Sequence, residues 1–542
     1  MCDRERRRVA VIGAGASGLT SIKACLEEDL DPVCYEQCED IGGLWTFTEE
    51  PKPYQGGAVY DCLVTNTSKE MTCFSDYPFP KHFPMYLTHR LVKQYLDEYA
   101  KRFGLLQHIS FNTKVLEVEP AQDYNSTGSW TVTVQNGQGE VTTDTFDDII
   151  LASGFFWKAW YPDIPGKKEF TGRIMHAKHY RRPEEFRDKT VLVVGNSNSA
   201  GDIAVDVSRV AEKTFLSIGN GTWIMNKVNQ GQPADFQLRR FLSKMPSWLT
   251  KRIAKIIAQS HLDHTAFGLQ PEVLDEGPLA LTSAVMFCDE LPLSLATGKV
   301  AVKPHLIRLE GNKAMFEDGT CVDRIDVVIF ATGYNHSYSF VDKVSVALKN
   351  FDLYKLVFPT DLPHPSLAVV GCVTTAGPVF PVVELQARWA TRVMAGRCVL
   401  PSAEVMKRDV QVMQKKYVKT DRSSPKMKKV NNLVLRDDIA ELLGVGTCFW
   451  RQIWTDPVLA FKCYFGPCFP YQHRLCGPHT WEGARDAIFS AWENTYFSLR
   501  SGLKSPNQER KYQKETFIFL LLLVAIIMLA WFVNMVEKEQ FP

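Results

Sequence analysis

The chain has 542 residues, too many for one hydrophobic core, and ordinary domain sizes divide it into roughly two to four. Its 62 Lys and Arg balance 61 Asp and Glu for a net charge of +1, so no global field favours nucleic acid, and no nucleic-acid-binding module is present in the sequence. The 14 cysteines lie without paired spacings, Cys34 and Cys38 included, which argues against a disulfide framework, a zinc knuckle or a Cys-x-x-Cys redox pair and fits a reducing compartment.

Arg4, Arg6, Arg7 and Arg8 and the apolar run to Leu19 imitate a secretory signal, but glycines at 13, 15 and 18 and the acidic Asp3 and Glu5 do not fit one. The run reads instead as a strand, Val9 to Ile12, entering the turn Gly13-Ala14-Gly15-Ala16-Ser17-Gly18 and a helix predicted over 17–26. In such a turn the first glycine makes the bend, the second lets backbone approach a pyrophosphate, and the third lets helix and strand pack closely. A second strand over 32–35 ends in Glu36, the place of a carboxylate that accepts hydrogen bonds from an adenosine ribose, which suits FAD or NAD better than NADP. The next turn, Gly42-Gly43-Leu44-Trp45, has backbone bare enough for close contact with a flavin.

Two later segments, 148–154 and 326–333, each read as a buried strand closing in small residues and glycine. Between them stands a second strand and turn, Val191 to Val194 and then Gly195-Asn196-Ser197-Asn198-Ser199-Ala200-Gly201-Asp202. Here Ser197 and Ala200 occupy the second and third glycine places. If Ser197 pushes the loop back, strain of about 1–3 kcal/mol lowers nucleotide affinity by roughly one to two powers of ten. The strand that follows, 213–218, ends in Gly219-Asn220-Gly221 with no acidic residue, so the NAD-type ribose clamp is missing; Lys213 and Lys227 are the cations near it in sequence. Residues 235–262 read as a helical stretch whose apolar side chains alternate with basic ones, a pattern that serves a core face or a membrane surface.

At the far end, Phe517 to Val533 is an uncharged apolar run of 17 residues, at the lower limit for spanning a bilayer. Lys504, Arg510, Lys511 and Lys514 precede it and Lys538 follows, which places the bulk of the chain in the cytosol by the positive-inside tendency. The glycosylation-type triplets at Asn66, Asn125, Asn220 and Asn335 are then coincidental.

The segment Phe170-x-Gly172-x-x-x-His176-x-x-x-Tyr180, directly upstream of the second turn, resembles the signature of the flavin-containing monooxygenases. The resemblance extends to Gly42–Trp45, to Val64-Thr65-Asn66-Thr67-Ser68-Lys69-Glu70-Met71, to Ala331–Tyr334, to Glu384–Trp389 and to Phe465–Tyr471, and so covers nearly the whole chain. It implies an α/β fold of two Rossmann-like dinucleotide-binding domains, the NADPH domain inserted in the FAD domain, with a C-terminal transmembrane helix. On that reading residues 1–155 and 331–445 bind FAD, 156–330 bind NADPH with a helical insertion near 235–285, 446–511 pack at the C-terminus, and 512–536 anchor the chain in the endoplasmic reticulum membrane. The implied cofactor contacts are Gly13 to Gly18, Glu36, Gly43, Leu44 and Trp45 for FAD, Gly195, Ser197, Ser199, Ala200, Gly201 and Asp202 for NADPH, and Thr65, Asn66 and Thr67 between them, the Asn66 amide donating to a flavin-bound oxygen or to the retained nicotinamide carboxamide.

The implied chemistry is NADPH- and O2-dependent oxygenation of an amine or sulfur substrate through a C4a-hydroperoxyflavin, carried mainly by the cofactor, with Asn66 as the family's active-site asparagine. Related Baeyer–Villiger enzymes typically carry tryptophan at the place of Tyr180, which favours the N- and S-oxygenating branch. His176 stands as a signature residue without a catalytic role, and Arg388 and Arg485 are read as partners of carboxylates inside the fold. The departures concern NADPH: family members generally keep glycine at 197 and 200, and many carry an arginine near 219. The alternatives are an uncoupled NADPH oxidase releasing H2O2 and a catalytically impaired FAD-binding membrane protein. A disulfide reductase is disfavoured because no Cys-x-x-Cys follows the first turn.

Overall fold

The computed structural model describes residues 6–50, 56–57, 59–269, 284–335, 338–341, 343–417, 420–421, 424–447 and 449–500. The chain divides into two compact units, 1–495 and 496–542; the described part of the second holds the short 3-10 turn Phe497–Leu499. No helix among the described residues is long and apolar enough to cross a membrane, and the run Phe517 to Val533 lies outside them.

The first unit is built on two five-stranded parallel sheets. Side by side, the first contains Leu367–Val369, Asp148–Leu151, Arg8–Ile12, Asp31–Tyr35 and Ile109–Ser110. The second contains Val300–Lys303, Lys213–Ser217, Thr190–Val194, Val327–Phe330 and Arg173–His176. Parallel strands covered on both faces read as unbroken apolar runs, which explains Val9-Ala-Val-Ile12 and Val191-Leu-Val-Val194; of these Val9 to Val11 and Val191 to Val193 are 0 % exposed. The second sheet is complete before the chain returns at Leu367 to pair with Asp148–Leu151, so the first sheet is closed by residues more than two hundred positions from its neighbour in sequence.

Antiparallel three-stranded sheets lie between these elements in sequence, at Lys114–Pro120, Trp130–Gln135 and Val141–Phe146, and at Leu306–Glu310, Lys313–Phe316 and Cys321–Val322. Helix Phe380–Met394, opened by Pro381 in its first turn where a missing N–H costs nothing, packs on helix Ala16–Glu27 and backs the first nucleotide turn. The predicted helical stretch over 235–262 is broken. A 3-10 turn Ala234–Gln237 and a short helix Arg240–Lys244 precede helix Ser247–His261, with extended backbone at Met245 and Pro246 because a proline ring cannot continue the helix before it. The long helix buries Ala254 and Ala258, while Trp248, Ile253 and Ile256 are exposed.

Candidate nucleotide and active site

Strand Arg8–Ile12 ends at Gly13, whose φ of +102° is a conformation L side chains rarely adopt. Its N–H donates to the Tyr35 carbonyl at 2.9 Å, which levels the turn with the end of the next strand. A Cβ on Gly18 would sit 1.8 Å from the Gly13 oxygen, so the third glycine is demanded by the protein itself. Gly15 differs: the nearest atom to a Cβ there is the Gly43 Cα at 3.7 Å, and its φ of −75° suits any residue. Nothing in the described fold therefore requires glycine there. Helix Ala16–Glu27 begins directly after it with no side chain capping the first N–H groups, the arrangement that receives a phosphate.

Glu36 accepts hydrogen bonds from the Ala14 N–H (2.7 Å) and the Cys38 N–H (2.9 Å), fixing the carboxylate beside the turn. A carboxylate offers about four acceptor positions, so two bonds leave room for ribose hydroxyls. Gly42 donates to the Ala14 carbonyl at 3.0 Å, and a Cβ on Gly43 would come within 3.1 Å of the Gly15 Cα. The turn that carries Leu44 and Trp45 is thus pressed against the first glycine turn, and the Trp45 ring meets Phe380 edge-on at 6.1 Å. Gly371 belongs here too, although no motif in the sequence marks it: a Cβ would lie 2.2 Å from the Ser17 hydroxyl.

Thr65 is held by reciprocal bonds with Leu87, its N–H donating to the Leu87 carbonyl at 2.8 Å and its hydroxyl oxygen accepting from the Leu87 N–H at 3.0 Å, while the hydroxyl donates to the Thr67 carbonyl at 2.9 Å. Between them Asn66 has a buried Oδ1 with no hydrogen-bond partner among the described residues. Buried polar atoms are almost always satisfied, so an orphaned buried amide oxygen fits a donor supplied by a bound ligand.

Asp235 was not legible as a site residue. Its Oδ2 accepts from the Ser68 N–H (2.7 Å) and hydroxyl (3.0 Å), two positions beyond Asn66, while its Oδ1 is buried and unpartnered among the described residues. Burial pushes the carboxyl up to about 7, against the pull of the Ser68 donors. The unfolded group loses its proton near the ordinary ~4, so between those values the native state binds more protons and stability falls as pH rises, with a limiting slope of ~1.4 kcal/mol per pH unit. Asp235→Asn is expected to remove that slope. Urea titrations of both proteins at about pH 4 and about pH 8 check it, and a stability difference that does not change between the two would refute the assignment.

The second turn repeats the first with changes. Gly195 donates to the Ser217 carbonyl at 2.9 Å as Gly13 does to Tyr35, but its φ is +153°. With the turn opened in this way Ala200, 0 % exposed, takes the third glycine place, its Cβ 3.1 Å from where a Cβ on Gly195 would stand. Ser197 is the residue before helix Asn198–Val207, at φ −124° and ψ −179°, exposed, and its side chain caps nothing. The expected backbone strain is absent, because an extended φ is open to every residue. What Ser197 changes is the free space in front of the helix. Ser199 is also exposed, Gly201 lies where a Cβ would meet the Met286 sulfur at 2.3 Å, and Asp202 accepts from the Tyr60 hydroxyl at 2.6 Å. Burial raises the Asp202 carboxyl, with the Tyr60 bond and Lys227 opposing.

The signature residues hold the second sheet together. Gly172 is required because a Cβ would lie 2.5 Å from the Asp326 carbonyl and 2.7 Å from the Phe170 ring. Tyr180, 0 % exposed, donates to Asp206 at 2.7 Å and meets Tyr60 edge-on at 5.9 Å. His176 accepts from the Lys178 N–H through Nδ1, and burial lowers it to about 4 although the Gly333 carbonyl opposes the fall, so the ring is neutral at physiological pH. Arg485 pairs with Asp456 at 2.8 Å as expected; Arg388 has no ion pair with a carboxylate among the described residues and donates to the His473 and Pro478 carbonyls, each at 3.1 Å.

A family model described as flavin-binding monooxygenase-like matches residues 6–531. Flavin-containing monooxygenase 5 of Rattus norvegicus is 38% identical over 538 residues, spanning 97% of this chain and 98% of that protein. Flavin-containing monooxygenase 2 of Homo sapiens is 39% identical over 498 residues, 89% of this chain and 91% of that protein. Among solved structures, S-allyl-L-cysteine S-oxygenase from Allium sativum matches with a TM-score of 0.61 at 24% identity, covering 91% of this chain and 99% of the other. Cyclohexanone monooxygenase from Rhodococcus sp. Phi1 bound to NADP+ matches with a TM-score of 0.57 at 17% identity, covering 81% and 98%. At these identities the structural likeness speaks to the α/β fold.

Proposed function

The chain belongs to the flavin-binding monooxygenase-like family, and on that premise we propose that it consumes NADPH and O2 to oxygenate a soft nitrogen or sulfur nucleophile. Family membership makes it a FAD-dependent monooxygenase. The observation that carries the reading is the first turn, where Gly15 and Gly43 stay bare with no demand from the fold on Gly15; the orphaned Asn66 oxygen is a second, separate observation. FAD, when bound, supplies hydride acceptance and O2 activation. The chain's residues would do the rest: Glu36 would orient the ribose, the uncapped helix start would receive the pyrophosphate, and Asn66 would hold an amide-type donor through its Oδ1. Asp235 steadies the Asn66 segment through Ser68.

One observation favours a second reading. Ser197 narrows the approach to the second helix, and a weakly held NADP+ would leave the reduced-oxygen chemistry unprotected, so that much of the NADPH consumed ends as H2O2. On the same proposal the bulk of the chain lies on the cytosolic side of the endoplasmic reticulum membrane, anchored by 512–536. Trp248 and Ile256 on helix Ser247–His261, exposed among Lys251, Arg252 and Lys255, support a second touch-point there.

The test uses the full chain, expressed and fractionated, with NADPH loss, sulfoxide from a methyl sulfide and H2O2 measured together. Sulfoxide stoichiometric with NADPH is the expected result; peroxide with little sulfoxide favours the uncoupled oxidase, and bound FAD without NADPH loss defeats both. Recovery in the soluble fraction overturns the anchor.

A further inference from the structure

The second sheet brings together two segments that are far apart in sequence. Strand Lys213–Ser217 pairs in parallel with Val300–Lys303, Ser217 opposite Lys303, so the residues after each strand emerge side by side at the carboxyl end of the sheet. In the first sheet the residue at the corresponding place is Glu36. In the second it is the bare loop Ile218-Gly219-Asn220-Gly221, and across from it stands His305. A Cβ on Gly219 would lie 3.3 Å from His305 Nδ1.

This juxtaposition is built, since three bonds fix it. The Ser217 hydroxyl donates to the Pro304 carbonyl at 2.7 Å, the Ile218 N–H to the Lys303 carbonyl at 3.1 Å, and the Glu317 N–H to the His305 carbonyl at 2.9 Å. The loop is in turn tied to the glycine turn, because Asn196 donates to the Gly221 carbonyl at 3.3 Å and accepts from the Thr222 hydroxyl at 2.9 Å. The imidazole is exposed, and no hydrogen bond, ion pair or ring contact engages it among the described residues.

The cations that sequence proximity offered are placed elsewhere. Lys213 stands at the start of its strand, the opposite edge of the sheet from the nucleotide turn. Lys227 reaches toward the Val64 carbonyl at 3.5 Å, and Lys303 is engaged by the Thr320 hydroxyl at 3.1 Å over the Phe316 ring. A Rossmann site that accepts NADP needs a cationic donor near the ribose and gains nothing from a carboxylate there.

We propose that His305 recognises the 2′-phosphate of NADPH, supplying a donor from the neighbouring strand end beside the Gly219 loop, which carries no cationic side chain. The inference rests on the reading that the second turn holds NADPH. An imidazolium presents two N–H donors and forms charge-assisted bonds to phosphate.

The experiment is calorimetric titration of the full-length protein in detergent with 2′,5′-ADP and with 5′-ADP, for the unmodified chain, His305→Gln and His305→Lys. The glutamine variant should bind 2′,5′-ADP about tenfold to a hundredfold more weakly while its affinity for 5′-ADP stays the same, and lysine should restore the discrimination. Equal loss of both ligands would mean adenine stacking on the ring and overturns the proposal, as does no loss at all. If the unmodified chain binds neither ligand, the nucleotide reading of the second turn falls with it; if it binds 2′,5′-ADP and the glutamine variant binds it equally, only the role of His305 falls.

Discussion

Gly18→Ala is expected to yield a folded chain that no longer retains FAD. The added methyl would stand 1.8 Å from the Gly13 carbonyl oxygen and 2.9 Å from its carbon, and neither atom is the free end of a side chain. Gly13 cannot rotate away cheaply, since its N–H is bonded to Tyr35 and a Cβ on Gly13 itself would already lie 3.0 Å from the Ala152 carbonyl. Helix Ala16–Glu27 must therefore shift along or away from its strand. Forced overpacking of this kind costs about 1–3 kcal/mol, and the displacement falls on the uncapped N–H groups at the helix start, which are proposed to receive the pyrophosphate. Flavin affinity should drop by roughly two powers of ten or more. The flavin-to-protein ratio after gel filtration measures it, with the thermal midpoint recorded alongside. Stoichiometric FAD at an unchanged midpoint would show that the turn can relax and would sink the steric account. Gly15→Ala is the control: its methyl meets no protein atom closer than 3.7 Å, so it should spare folding and affect only the ligand.

Ser197→Gly is expected to act in the opposite direction, tightening NADPH binding by about tenfold and lowering the share of NADPH that ends as H2O2. The backbone at 197 is already extended, the side chain is exposed and makes no capping bond, so the fold asks nothing of it. Replacing serine by glycine at the residue before a helix costs only a few tenths of a kcal/mol, and less where no cap bond is lost. Stability should hardly change while affinity does. Stopped-flow titration with NADPH and a peroxide assay read the two quantities; if neither moves, the phosphate already clears the serine and the leak, where present, has another origin.

The two predictions differ because two similar turns are held differently. Both glycine motifs, the buried strands and Glu36 were legible in the sequence, since local spacing decides where a strand becomes a helix and where backbone is bare. The chain-order pattern also gave the signature Phe170 to Tyr180, although its meaning needed packing: Gly172 is forced by the Asp326 carbonyl and Tyr180 by Asp206. The helical stretch over 235–262 was overextended where Pro246 interrupts it, and Asp235 inside it showed no sign of reaching Ser68.

What the sequence determined by itself is the class of protein and the position of its first nucleotide turn, because those depend on residues within one strand–turn–helix unit. The strain expected at Ser197 could not be judged from identity alone. It hinges on the backbone at 197, which the fold holds in an extended conformation open to any residue. The pairing of Asp235 with Ser68, of Gly371 with Ser17 and of His305 with the Gly219 loop joins residues from about 86 to more than 350 positions apart. Such contacts are decided by parallel register and by the return of the chain to its first sheet, and only the tertiary structure contains them.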